Sequence, residues 1–225
     1  MYNEQWKQAE TALSYMEVIK HGENHPVTIK GESEDLQCIG IGTDAAVFVY
    51  EPMPAYAYKL YATQALPKKE AEIGVYRALV GSPYYPMFYG AGERYVVISY
   101  ERGLTLYDCL LLGVSVPKQV IDDVEEARSF VREKGLNPRD IHLKNVLLQD
   151  GRGKVLDVSE YIQIGNDKRW EHLVWAYDNV YPLLEGRKLP LWMLEAVRNG
   201  YYRLDPSSVN LQEFADRISR LFFRR

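Results

Sequence analysis

Residues 135–159, GLNPRDIHLKNVLLQDGRGKVLDVS, decide how the chain is interpreted. They contain a polar loop that ends at Asp140, followed by two apolar runs that the turn signal at 150–153 separates. The predicted hairpin brings Asn145 and Asp157 to one end, and their amide and carboxylate oxygens suit Mg²⁺ held together with substrate phosphates. Taken alone, each residue is more typical of a turn or a solvated surface, so the rest of the chain must support the site.

The composition is typical of a folded globular protein, and the net charge gives no overall attraction to polyanions. Of 225 residues, 47% are hydrophobic and 26% charged, and the formal net charge is −4. The charge does not favour nucleic acid as a partner. Cys38 and Cys109 lack CxxC spacing, so we expect buried free thiols in a reducing compartment. No apolar run approaches a membrane span and the N-terminus does not read as a signal peptide, so we expect a cytoplasmic protein without a membrane partner.

Residues 1–26 are predicted to form an N-terminal helical segment. The spacing of Trp6, Ala9, Leu13 and Met16 indicates an amphipathic helix over 4–20. Such a stripe usually covers the protein's own core, although it can also dock a partner.

Residues 27–102 are predicted to form a small antiparallel sheet with one main helix. The strand-like pieces are VTIKG, LQCIGIG, AVFVY, AYAYKLY, PMFYGAGE and RYVVISYE. Between the second and third pieces, Gly40 and Gly42 either make a tight hairpin or let backbone N–H groups approach phosphates. In the second case Ala45 keeps the loop slim and Val47 covers the base.

Lys59 is the candidate cation of this region, on an apolar strand that also carries Ala57. The helix predicted over 67–80 contains Glu72, which could hold Lys59 toward a phosphate. Glu70 is the competing partner, and both acids could equally be surface charges. Helical spacing favours Glu72.

The last strand of the sheet leads into a connection near residue 102. Ile98 and Tyr100 stand at its end and are assigned to nucleotide binding, because backbone groups there are free to meet an adenine edge. Residues 103–225 are predicted to be mostly helical. Within them, the helix predicted at 117–134 has one buried stripe and ends at Gly135. The stretch at 135–159 begins there, so a packed helix leads directly into it.

Taken in order, these segments resemble the protein kinase-like fold from about Leu36 to about residue 185. GIGTDAAV is similar to the glycine-rich loop, and AYK to the strand of the phosphate-positioning lysine. Asp140 and Asn145 keep the five-residue spacing of the catalytic loop, and DVS at 157–159 occupies the place of the DFG triplet. The resemblance implies an α+β, two-lobed fold with an antiparallel N-lobe sheet, one main helix there, and a truncated helical C-lobe.

The same resemblance implies roles for the candidate residues. Lys59 with Glu72 would grip ATP phosphates, Asp140 would deprotonate the acceptor hydroxyl, and Asn145 and Asp157 would bind Mg²⁺. The remaining nucleotide-binding candidates are Gly40, Gly42, Ala45, Val47, Ala57, Ile98 and Tyr100.

The chain also departs from the family pattern. Pro138 replaces the usual His, Val158 and Ser159 replace Phe and Gly, and His142 stands where protein kinases mostly carry Lys. Lys144 supplies a positive charge nearby, but at a different spacing. No APE triplet follows, so the activation segment is expected to be absent or very short. These features resemble compact bacterial and archaeal kinase-like proteins, including the RIO and tRNA-modification-associated families.

Three functions follow as hypotheses. The leading one is an ATP- and Mg²⁺-dependent protein serine/threonine kinase that also phosphorylates itself. The alternatives are a pseudokinase that serves as a binding module and a kinase of small-molecule hydroxyls. The expected partners are a nucleotide and an unidentified protein or small-molecule acceptor.

Overall fold

The computed structural model describes residues 4–22, 25–205 and 209–222. Helices and antiparallel sheets are combined in two compact units, Met1–Glu101 and Arg102–Arg225, which is compatible with the α+β class. The division falls one residue before the predicted connection. The outer ends of the predicted domains, at residues 1–3 and 223–225, lie outside the described residues.

The first unit is built on a five-stranded antiparallel sheet in the order β3-β4-β5-β7-β6. The strands of the first unit, of which the first two lie outside this sheet, are β1 (Glu17–Ile19), β2 (Thr28–Lys30), β3 (Leu36–Ile41), β4 (Ala45–Tyr50), β5 (Tyr56–Tyr61), β6 (Phe88–Ala91) and β7 (Tyr95–Ser99). Its helices are α1 (Glu10–Ser14), preceded by a 3₁₀ turn at Glu4–Ala9, and α2 (Leu66–Ala78). Pro67 lies in the first turn of α2, where its missing N–H leaves no helical bond unmade.

The prediction of one helix over 4–20 is wrong beyond Ser14. Glu17–Ile19 instead forms β1, which pairs with β2, so the VTIKG strand lies outside the five-stranded sheet. Two β-branched residues in succession favour a strand here, and pairing with β2 provides the backbone partners. The apolar stripe does cover core: Trp6 and Leu13 are buried, and the Tyr58 hydroxyl donates to the Trp6 carbonyl at 2.9 Å. The first residues therefore belong to the first unit.

The second unit combines a small sheet with five described helices. Its strands are β8 (Leu104–Thr105), β9 (Val146–Gln149) and β10 (Arg152–Val155), in the order β10-β9-β8. Its described helices are α3 (Leu106–Leu112), α4 (Lys118–Glu133), α5 (Arg169–Asn179), α6 (Leu191–Tyr201) and α7 (Leu211–Phe222). Thr105 caps α3 reciprocally with Asp108, which is why the predicted helix at 104 begins two residues late.

Helix α4 supports the hairpin formed by β9 and β10. Its predicted stripe of Val120, Val124, Ala127 and Val131 is fully buried, which confirms the periodicity argument. A Cβ atom at Gly153 on β10 would lie 2.8 Å from the Val120 carbonyl oxygen, so only glycine allows this close approach.

The two cysteines differ in their surroundings. Cys109 is buried as predicted, whereas Cys38 is exposed, which corrects the expectation of two buried thiols. Cys38 lies on β3, which is an edge strand of the five-stranded sheet. The middle residues of β3 are exposed on both faces of the sheet. In the described part of the chain, none of the helices has the length and apolar character that crossing a membrane requires.

Candidate active site

The strand register gathers the nucleotide-binding candidates of the first unit on one sheet face. Gly40 pairs with Val47, and Val47 pairs with Lys59, so these three form one row across β3, β4 and β5. Ala57 pairs with Ile98 in the next row on the same face, because alternate residues of a strand share a face.

Two further candidates follow the same alternation. Ala45 pairs with Tyr61 on the Lys59 face and is buried. Tyr100 stands two residues beyond Ile98, just past the end of β7, and its backbone N–H donates to the Ala55 carbonyl at 2.9 Å. Periodicity within β5 predicts that Ala57, Lys59 and Tyr61 share a face, and the strand register adds the residues of the neighbouring strands.

The glycines of the β3–β4 turn have different reasons to be glycine. At Gly42 a Cβ would lie 3.3 Å from the Ala45 carbonyl oxygen, and the Gly42 N–H donates to that carbonyl at 2.9 Å. At Gly40 a Cβ would meet Val47 at an ordinary 3.7 Å. Packing within the chain thus restricts Gly42, whereas Gly40 ends an irregularity in the strand register between Cys38 and Gly40. Glycine there also allows a ligand to approach the backbone closely.

Lys59 and Glu72 form a buried ion pair in the first unit. Lys59 Nζ lies 2.7 and 2.9 Å from the two Glu72 carboxylate oxygens, and the Glu72 side chain is 0% exposed. Glu70, the competing partner, points to Lys69 and is 68% exposed. The pair fixes the Lys59 ammonium at one position on the sheet face.

Tyr61 completes this pair and was missed by sequence reasoning. Its hydroxyl donates to Glu72 Oε2 at 2.6 Å. Because a buried carboxylate is costly unless its oxygens accept hydrogen bonds, Tyr61 helps to keep Glu72 ionised. The available signal was its position two residues after Lys59, on the same strand face.

The tip of the β3–β4 turn is tied down by charge. Asp44 pairs with Lys20, which follows β1, and with Lys68 of α2, whose Nζ lies at 2.5 Å. Burial raises the pKa of Asp44, but the hydrogen bonds from the two lysines outweigh it, so the pKa lies below its ordinary value. Local sequence pattern does not predict these contacts, because they connect elements far apart along the chain.

In the second unit, the hairpin brings Asn145 and Asp157 together. The Leu156 N–H donates to the Asn145 carbonyl at 2.8 Å, which extends the ladder by one bond beyond the last strand pair. Asp157 stands two residues past β10 and not at its end as predicted, because its carboxylate turns to accept the Ser159 N–H at 3.0 Å. An amide oxygen and a carboxylate thus share one end of the hairpin.

This donor set fits a magnesium ion that is shared with phosphates. Within the described residues, no group of three or more His, Cys, Asp and Glu side chains could hold a metal by itself. Mg²⁺ characteristically takes one or two protein carboxylates and completes its shell with water and phosphate oxygens. Asn145 and Asp157 would be the protein's share of such a shell.

Asp140 is held in an unusual backbone conformation beside this hairpin. Its φ is +57°, its carbonyl accepts the Asn145 side-chain amide at 3.0 Å, and its N–H donates to Asp167 at 2.7 Å. A non-glycine residue at positive φ persists only where its surroundings fix it, and such residues cluster at functional sites. The backbone contacts therefore set the direction of the Asp140 side chain.

The Asp140 carboxylate is electrostatically perturbed. Burial raises its pKa to about 6, with Arg169 opposing the shift and Asp157 adding to it. Arg169, the first residue of α5, donates to Asp140 Oδ1. A raised pKa near neutrality is typical of a group that exchanges a proton.

His142 is not a positively charged substitute for the expected lysine. Burial lowers its pKa, with Arg169 lowering it further, and its Nδ1 accepts the Lys144 N–H at 3.2 Å, which requires a neutral ring. The Lys144 ammonium lies 4.5 Å from the centre of the Tyr107 ring. Sequence reasoning missed Arg169 and Asp167, whose only signal was a charged cluster just before a predicted helix.

The segment that follows the hairpin is hydrogen-bonded to the loop that precedes Asp140. Asn137 donates through its backbone to residue 161 and through its side chain to the carbonyls of residues 163 and 165. Arg139 donates to the Ile164 carbonyl. Residues 158–168 are thus ordered by the loop itself.

Comparison with known proteins gives one informative relative and no matching family model. The chain is 35% identical over 173 residues to a Bacillus subtilis (strain 168) protein named "Putative serine/threonine-protein kinase YrzF". The alignment covers 75% of this chain and 80% of the relative.

Proposed function

The chain belongs to the same kinase-like family as that Bacillus subtilis protein, and from this we propose an ATP- and Mg²⁺-dependent phosphotransferase acting on serine or threonine hydroxyls. The acceptor is a partner protein or the chain itself. The observation that carries the proposal is the meeting of Asp140, Asn145 and Asp157 around one end of the β9–β10 hairpin. A proton acceptor beside two oxygen ligands is what phosphoryl transfer requires.

The first unit would hold the nucleotide. Lys59, fixed by Glu72, carries the positive charge for the phosphates, and Gly40 allows them to approach the backbone. Ala57, Ile98 and the neighbouring candidates offer an apolar face to the base. Every role here follows from one sheet face and one buried ion pair.

The second unit would perform the transfer. The Asp140 carboxylate accepts the proton of the acceptor hydroxyl while the hydroxyl oxygen bonds to the γ-phosphorus. The bond from that phosphorus to the bridging oxygen breaks, and ADP leaves with the electron pair. Asn145 and Asp157 would hold Mg²⁺, which when bound would neutralise phosphate charge.

Label transfer from γ-labelled ATP, with dephosphorylated casein and the chain itself as acceptors, tests this function. Asp140→Asn should abolish transfer yet keep the thermal stabilisation by Mg²⁺-ATP, which is about 2.7 kcal/mol at a hundredfold excess over Kd. Asp150→Asn is the matched control, since Asp150 is exposed in the hairpin turn and asparagine tolerates its positive φ.

Each outcome separates the candidate functions. Equal turnover by wild type and Asp140→Asn would remove Asp140 from the mechanism. Absence of any stabilisation at millimolar Mg²⁺-ATP would favour a nucleotide-free binding module. Label found only in small hydroxyl compounds would favour a metabolite kinase.

A further inference from the structure

The cations and the histidine near Asp140 in sequence do not pair with its carboxylate, and Arg139 donates instead to the Ile164 carbonyl. His142 accepts a hydrogen bond through Nδ1 and is therefore neutral, and the Lys144 ammonium lies against the Tyr107 ring. In the described part of the chain, the cation in contact with the Asp140 carboxylate is Arg169, which is 29 residues away in sequence.

The position of Arg169 is not explained by the stability of its helix. It is the first residue of α5, and a cation at a helix N-terminus opposes the helix dipole. Its guanidinium lies 5.9 Å from the centre of the Tyr202 ring, and its Nε lies 3.8 Å from Asp167. The contacts with two carboxylates and an aromatic face compensate for this placement.

Asp167 fixes the loop and the helix relative to each other. One of its oxygens accepts the Asp140 N–H at 2.7 Å, and the other accepts the Arg169 N–H at 3.2 Å. One carboxylate therefore sets the backbone of both members of the Asp140–Arg169 pair. Arg169 donates to Oδ1 of Asp140, and within the described residues no hydrogen-bond donor contacts Oδ2.

We propose that Arg169 is the positioning residue for Asp140: it holds Oδ1 so that Oδ2 is presented to the acceptor hydroxyl. The inference rests on the proposed phosphotransferase function. It assigns to the start of α5 the positive charge that is absent from position 142. A guanidinium suits this task because its planar fork fixes a carboxylate in direction as well as in distance.

The test compares Arg169→Gln and Arg169→Lys with Arg187→Gln, a change at an exposed arginine. Because misplacing a reacting group by about 1 Å costs about 10²-fold in rate, Arg169→Gln should lower kcat by roughly that factor. The Kd for Mg²⁺-ATP should stay unchanged, and Arg169→Lys should retain part of kcat. Thermal unfolding of each variant establishes that it is folded.

Chemical rescue distinguishes positioning from general structural support. Guanidinium ion at tens of millimolar should restore part of the kcat of Arg169→Ala, and urea at the same concentration should not. Equal kcat for wild type and folded Arg169→Gln overturns the inference alone. A larger loss in Lys144→Gln than in Arg169→Gln also overturns it, whereas failure of wild type to transfer label overturns the proposed function itself.

Discussion

Replacing Asp123 with alanine tests how the second unit holds the β9–β10 hairpin. Asp123 lies in the middle of α4 with its side chain 0% exposed. It accepts hydrogen bonds from Arg152 Nε at 2.8 Å and Nη2 at 2.7 Å, from the Gly153 N–H at 2.8 Å, and from Gln119 at 2.9 Å. Alanine removes these hydrogen bonds between α4 and β10.

The loss of stability depends on which hydrogen-bond partners of Asp123 become unsatisfied. The Gly153 N–H is buried and loses its acceptor, which costs about 1–3 kcal/mol. The Arg152 side chain is 60% exposed and can hydrogen-bond to water instead, so losing its bonds to Asp123 adds about 1 kcal/mol or less. We expect a total of about 1–4 kcal/mol, which corresponds to about 2–16 °C in Tm for a chain of this size.

Urea unfolding and hydrogen exchange measure the effect at two levels. Asp123→Ala should lower the free energy of unfolding and speed exchange at the Gly153 amide. Asp122→Ala is the control, because Asp122 is 51% exposed and its pair with Lys118 at 3.1 Å is worth less than about 1 kcal/mol. Equal losses in the two variants would refute the reasoning.

The same residue makes an acid-sensitivity prediction. Burial raises the pKa of Asp123, but the hydrogen bonds from Arg152 and Gly153 lower it by more. The pKa of Asp123 therefore lies below its ordinary value of 3.8. A depressed carboxyl pKa stabilises the fold above the unfolded-state value and loses that contribution as pH falls through the folded-state value. The unfolding free energy of wild type should thus fall more steeply below pH 3.8 than that of Asp123→Ala.

Further predictions concern the first unit and the proposed base. Tyr61→Phe leaves buried Glu72 without one donor, so thermal unfolding should show a loss of about 1–3 kcal/mol. Lys20→Met releases one anchor of Asp44, and titration should show weaker Mg²⁺-ATP binding; an unchanged Kd would make the anchor purely structural. Because Asp140 must be ionised and burial raises its pKa to about 6, kcat should fall as pH drops below about 6; a flat profile would point to another base.

Local sequence pattern determined much of this protein. The 150–153 turn between two apolar runs specifies the hairpin, and the 3.6-residue stripe specifies α4, since both depend on neighbours a few residues away. Strand alternation placed Ala57 and Lys59 on one face. The pattern gave a wrong prediction at 17–19, where the preferences for helix and strand are similar. Strand pairing with β2 prevailed there over a continued helix.

Helical spacing predicted the Lys59–Glu72 pair, but other charge contacts were decided by the tertiary structure alone. The Arg169 contact with Asp140 spans 29 residues, and the Lys20 contact with Asp44 spans 24. Many arginines and lysines fit such a role by residue type, so spacing along the chain cannot select among them. Helical and strand periodicity fix the face on which a side chain lies, but the packing of distant elements fixes which partner it finds there. The pattern of residues 135–159 thus predicts the proximity of Asp140, Asn145 and Asp157, whereas the contact from the start of α5 depends on tertiary packing.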